Sequence, residues 1–227
     1  MIAALARPSL ARLLRGPRAW LAVAAWCALA LVFAMAARER GAAHGADHVL
    51  LETYGALALP LVSFVIVGAI VASQSLRAST APMVAFGAQP ARAAAASIAV
   101  AAACCAVVGA GVAAIVAVVA HGIADPPRLH DAIVSAYVGA LGGAAYAAWF
   151  SLGASFGRRG GGRVALLVVD WILGANDGAG ALLSPRGHVR NLLGGAAPMD
   201  LSQRASAAVL VILAIASALV AIRRARI

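Results

Sequence analysis

The chain contains no lysine: all 18 basic residues among its 227 are arginine. That absence excludes a phosphate-cradling G-x-x-x-x-G-K-[ST] loop, a Schiff-base lysine and a Ser-Lys dyad. Acids are almost as scarce, eight in all, so charged residues make up 11% of the chain and leave a net charge of +10. Aromatic residues contribute only 5%, and the arginines stand in short clusters with no aromatic interleaving, which argues against a nucleic-acid surface. Three cysteines, Cys27, Cys104 and Cys105, lie inside apolar runs with no C-x-x-C spacing and no flanking histidine. They read as packing residues, not as a redox or zinc site.

What is present in quantity is apolar sequence. Hydrophobic residues make up 63% of the chain and the mean hydropathy is +0.94, a composition expected of an all-α membrane protein. A helix needs about 20 apolar residues to cross a bilayer core of about 30 Å. Stretches free of aspartate, glutamate and arginine run from Ala19 to Ala37, Thr53 to Leu76, Ala93 to Ala124, Ala132 to Gly157 and Ala205 to Ile222. A shorter sixth stretch, Val164 to Asn176, contains Asp170 and ends in the breaker run 174–178. The reading is a single transmembrane domain over 1–227 with six spans at about 19–37, 53–76, 95–120, 132–156, 163–176 and 205–222.

Charge supports the sixth crossing. With six spans, the N-terminus, the second and fourth loops and the C-terminal tail carry twelve arginines and no acid, while the opposite segments carry six arginines and seven acids. The positive-inside rule then predicts both termini in the cytoplasm, and the expected location is a multi-pass position in a bacterial inner membrane. Dropping the weak span would put Arg223, Arg224 and Arg226 outside. An arginine-rich leader followed by Ala34-Met35-Ala36 also fits a signal peptide, although 19 apolar residues exceed a usual h-region.

Before the first span, a helix starting near Pro8 would set Arg12, Arg15 and Arg18 opposite Leu10, Leu13 and Leu14, as an interfacial helix does; an unstructured basic leader is the other reading. Gly139 to Gly143 and Gly153 to Gly157 match small-x-x-x-small and predict close helix contacts. The second also fits G-x-S-x-G around Ser155, but none of the five histidines falls within the sixth span, where an intramembrane serine protease would need its base. His44 and His48 flank Asp47 at a spacing that a helix could turn toward a metal; Gly41 and Gly45 favour a solvated loop there.

Asp170 is the one acid within a span and must face protein or water, because a charged group at membrane depth costs about 2.5–3.5 kcal/mol. Its partner is expected from another helix, near Tyr146 or Ser151, or from water, in a structural bond or along a substrate path. After it, two short apolar pieces, Ala179 to Leu183 and Val189 to Leu193, suit a re-entrant outer hairpin between helices 5 and 6.

Between the second and third spans the chain reads SQSLRASTAPMVAFGAQPAR over 73–92. Met83, Val84 and Phe86, framed by Arg77 and Arg92 and held by Pro82, Gly87 and Pro90, read as an apolar knob suited to a soluble partner; a short turn lying against the membrane surface is the other reading. This segment resembles that of the ABC-2-type exporter permeases: Ser79-Thr80 takes the place of the family's Gly/Ser-Thr step, 83–86 that of its apolar stretch, and Gln89-Pro90-Ala91-Arg92 that of its Pro-x-x-Arg-like lead into span three. Ser75 to Ala78 stand where the family commonly carries an acid. The resemblance extends over nearly the whole chain in span number, termini and hairpin. It implies a permease subunit, itself no enzyme, that pairs with itself or a second permease in the lipid bilayer and with a separate ABC ATPase subunit that holds the ATP. Arg77, Thr80, Met83, Phe86 and Arg92 would carry the coupling. The alternative is a helical membrane assembly or scaffold protein that transports nothing.

Overall fold

The computed structural model describes residues 2–72, 74–157 and 159–226, and among these every regular element is helical. The helices are α1 (Ile2–Leu14), α2 (Pro17–Glu39), α3 (Gly45–Ile70), α4 (Leu76–Ala85), α5 (Pro90–Ala120), α6 (Arg128–Ala154), α7 (Gly162–Gly174), α8 (Pro185–Leu192) and α9 (Gln203–Arg226). Five of them, α2, α3, α5, α6 and α9, are long and apolar enough to cross a membrane. The chain is thus a helical, multi-span membrane protein by the length and composition of its helices.

Burial grades these five, with α5, 28% buried, between the extremes. In their most apolar stretches α3 and α6 are 67% and 56% buried, whereas α2 and α9 are 17% and 22% buried. The outer pair turns large apolar residues outward, among them Leu21, Val32, Ile212 and Leu219, as a lipid-facing surface requires.

The centre is built on glycine. A Cβ on Gly143 would collide with the Cys105 carbonyl, and Gly109 and Gly139 each press on the other's carbonyl. The Gly139 to Gly143 motif is therefore the seam along which α5 and α6 approach backbone to backbone. In the other motif only Gly153 lies in a helix contact, where a Cβ would come within 2.7 Å of the Arg163 Cα; Gly157, with φ +77°, belongs to the turn after α6.

The second apolar stretch departs from 53–76. Its helix starts at Gly45, passes through a π-helical segment at Leu50–Ala58 and stops at Ile70. Pro60 follows that segment and has no N–H to continue a regular ladder, and wide-turn pairing upstream absorbs the mismatch. At the other end Ala72 takes φ +51° and Ser75, whose Oγ accepts the Ala78 N–H, caps a new helix. α1 likewise starts at Ile2, before Pro8, and keeps Pro8 inside. Its inward face is Ser9 and Leu13, with Leu10 and Leu14 turned out, so the three leucines do not share a face.

Contacts place the elements at two ends of the bundle. At one end Ser9 shares a 2.9 Å hydrogen bond with Ser97 at the start of α5. Arg12 there donates to the Ile70 and Ser79 carbonyls. Val71, Leu76, Ala94, Ala154 and Ala221 pack together at this same end, so α1 and the last turns of α9 meet there. At the opposite end the Asp125 carboxylate accepts the Ala46 and Gly122 N–H groups.

α7 spans only 13 residues, about 20 Å of rise. After it the chain turns back through a 3₁₀ turn at Ala179–Leu183, and α8 lies against α7, with Arg186 on Asp170 and Arg190 on the Ala175 and Asn176 carbonyls. Val189 is fully buried and would meet a Cβ on Gly142 at 3.0 Å.

Candidate functional site

Asp170 is completely buried. Its carboxylate accepts the Tyr146 hydroxyl at 3.0 Å, the Ser184 hydroxyl at 2.7 Å and the Arg186 N–H at 3.1 Å. The approach is close because Gly174, one turn along α7, leaves room: a Cβ there would come within 2.5 Å of Ser184 Oγ and Arg186 Cβ. Tyr146 is the partner expected from α6, while Ser184 and Arg186, from the first turn of α8, replace Ser151. Arg186 adds a 3.5 Å contact from Nη1 to the Trp171 carbonyl. The carboxylate thus caps α8 from outside the helix, tying its orphan N–H to α6 and α7.

α8 is fixed at its far side by a polar cluster that the sequence did not reveal. His188 places Nε2 3.0 Å from the Leu182 carbonyl and Nδ1 3.3 Å from Ser206 Oγ. Asn191 donates to the same Ser206 Oγ at 2.7 Å and to the Leu201 carbonyl at 2.8 Å. The His-x-x-Asn spacing, one turn apart on a short helix, was the available signal.

The segment expected to form an apolar knob is instead a capped helix. Along α4, Leu76, Thr80 and Met83 point inward, Thr80 being 1% exposed and Met83 7%. Thr80 donates back to the Leu76 and Arg77 carbonyls. The spacing of three to four residues puts these side chains on one face, and that face packs on the bundle. Gly87 at φ +87° ends the helix, with its N–H on Val84 and that of Ala88 on Met83, a Schellman closure. Phe86, the residue before this turn, is 93% exposed, and Arg77 and Arg92 are exposed with it. The five residues therefore split: Arg77, Phe86 and Arg92 face out, while Thr80 and Met83 hold the helix in place.

The two-histidine metal pair does not form. His44 precedes the first turn of α3, and its Nδ1 lies 3.8 Å from Asp47 Oδ2 and 3.9 Å from Asp125 Oδ1. These three side chains could offer ligand atoms to a cation, whereas His48 lines a neighbouring cavity of about 310 Å³ with Asp47 and Asp131. The atoms stand wider than the roughly 3.4 Å between ligands of one tetrahedral zinc. The backbone bonds to Asp125 give it a structural task, joining the 122–125 loop to the start of α3.

Ser155 donates to the Leu152 carbonyl at 2.7 Å, as a helix-end residue does. Cys27, Cys104 and Cys105 are free thiols. Comparison with protein-family models, curated proteins and solved structures gives no match.

Proposed function

We propose that this chain is the transmembrane permease subunit of an ATP-driven ABC-type exporter in a bacterial inner membrane, with six crossings, cytoplasmic termini and a re-entrant outer hairpin formed by 179–192. It pairs with a second permease, its own copy or a relative, and docks a separate ATPase subunit. The observation that carries this reading is α4: a short helix between the second and third apolar helices, anchored along one face, with Phe86 standing free at its end. An exposed phenylalanine on a rigid, arginine-flanked helix is a handle for a soluble partner, since large apolar anchors in a polar rim dominate protein interfaces.

The packing supplies a route from handle to bundle. Arg12 joins the Ser79 carbonyl of α4 to the Ile70 carbonyl at the end of α3, and Leu76 seats the base of α4 against α5 and α9. A push on Phe86 and Arg77 would move α4 and α1 together against the membrane helices. Asp170 is a clamp in this scheme, its acceptor sites filled by three donors of the protein itself.

The test is to isolate the tagged chain from its host in mild detergent and measure co-purifying ATP hydrolysis. A stoichiometric ATPase subunit with vanadate-sensitive turnover is expected, and Phe86→Asp should lower its retention about tenfold or more, in line with the 2 kcal/mol or so of an aromatic hot spot. A chain that emerges without any nucleotide-binding partner, or Phe86→Asp with unchanged retention, would reject the assignment and favour a non-transporting assembly protein.

A further inference from the structure

At the end of the bundle where α1 meets α2, a cavity of about 630 Å³ opens between these helices, the last turns of α3 and the first turn of α7. Four arginines line it, Arg12, Arg15, Arg18 and Arg163, and no acid does. The two ion pairs among the described residues both involve His44, at the opposite end. This is a concentrated cationic site without internal compensation.

The four side chains have different tasks. Arg12 is committed to the Ile70 and Ser79 carbonyls. Arg163 is buried, 8% exposed; its Nε donates to the Gly160 carbonyl at 3.2 Å and its guanidinium carbon lies 5.6 Å from the centre of the Phe64 ring. Its two terminal nitrogens have no hydrogen-bond acceptor among the described residues, and Gly68 makes room for one of them, since a Cβ there would stand 2.7 Å from Nη1. Arg15 and Arg18 are exposed at the cavity mouth. A guanidinium that lines a cavity with its fork unfilled is matched in shape and charge by a phosphate oxygen pair.

The surroundings decide what carries the phosphate. Leu14 and Leu21, 61% and 70% exposed, and Trp20, also exposed, flank the arginines at the junction of α1 and α2. A soluble phosphate would gain nothing from this apolar rim. A phospholipid would set its headgroup among the arginines and its chains along Leu21 and the outward face of α2, with Trp20 at the level where indoles gather. We propose that this cavity is a binding site for an anionic phospholipid headgroup, with Arg163 at its floor and Arg15 and Arg18 at its mouth. The inference does not depend on an ATPase partner.

The probe is phosphatidylglycerol, titrated into the delipidated full-length chain in a neutral detergent, with phosphatidylcholine and inorganic phosphate in parallel, and bound lipid counted by native mass spectrometry. One phosphatidylglycerol per chain should be retained at least about tenfold more tightly than phosphatidylcholine, the scale of a hydrogen bond to a charged group. Arg163→Gln should erase that preference. Because a floor substitution can disturb folding, the double change Arg15→Gln with Arg18→Gln, both at exposed positions, should also reduce it about tenfold, while Arg40→Gln at the other end leaves it intact. Equal retention of the two lipids, or unchanged preference in the mouth variant, would overturn the proposal. Inorganic phosphate displacing phosphatidylglycerol at comparable concentration would assign the site to a soluble anion and overturn it equally.

Discussion

Replacing Asp170 by alanine should cost about 3–5 kcal/mol of stability. The side chain accepts three hydrogen bonds in a fully buried site, and a buried donor stripped of its acceptor costs about 1–3 kcal/mol. Ser184 is partly spared, because its hydroxyl also lies 3.3 Å from the Asp170 backbone carbonyl, which survives the change. The main losses fall on the Tyr146 hydroxyl and the Arg186 N–H. Asparagine is the discriminating control: its carbonyl oxygen can still serve Ser184 and Arg186, leaving only Tyr146 to reverse its proton toward the amide, a loss of about 1–1.5 kcal/mol. The assay is equilibrium unfolding in mixed micelles, followed by limited trypsin cleavage after Arg186 and Arg190, which lie on the helix the carboxylate caps. Alanine should expose those bonds much more than asparagine, and under the proposed exporter function Asp170→Asn should keep full transport. An alanine variant within about 0.5 kcal/mol of the parent, cut no faster, would refute the clamp. A stable Asp170→Asn protein that transports nothing would instead place the carboxylate on the substrate path.

Two further outcomes follow from the same packing. Gly143→Leu should destabilise by about 3 kcal/mol or more, since its Cβ would collide with the Cys105 carbonyl; Gly111→Ala, with nothing within 4 Å, should be neutral or stabilising by about 0.5–1 kcal/mol, and thermal unfolding in micelles that ranks the two alike would refute the glycine seam.

The apolar helices were legible in the sequence because bilayer thickness imposes a length, and a run without charge cannot easily be anything else. Their ends were not. In α3 the helix extends back through Glu52, His48 and Asp47 to Gly45 and stops short of Leu76. Charge-free counting misses this, since helical hydrogen bonding continues through a polar first turn and is broken by a backbone event such as φ +51° at Ala72. Asp170 could be singled out by the cost of burying it, and Tyr146 could be named as a candidate on a neighbouring helix. Ser184 and Arg186 could not, because their contact depends on Gly174 bringing α8 against α7. The residues of 83–86 divide for a periodic reason: Met83 lies on the inward face of α4, whereas Phe86 caps the end of the helix and turns away with the chain.

The short α7 shows where a window of hydropathy loses its meaning. Thirteen residues do not cover about 30 Å, so length alone would discard this crossing and leave five. Yet α1, through Ser9 and Ser97, and the last turns of α9, through Ala221 and Ala154, meet at one end of the bundle. A chain whose first and last elements share an end has passed between the ends an even number of times. The four long helices α2, α3, α5 and α6 return it to that end, and α9 brings it back once more, so one outward passage must lie between α6 and α9. α7 makes that passage, and the capped α8, held by Asp170 on one side and by Ser206 on the other, packs beside its second half and leads to the start of α9. On the proposed six-crossing reading this short passage is braced by α8, which the Asp170 carboxylate and the Arg190 guanidinium tie to α7.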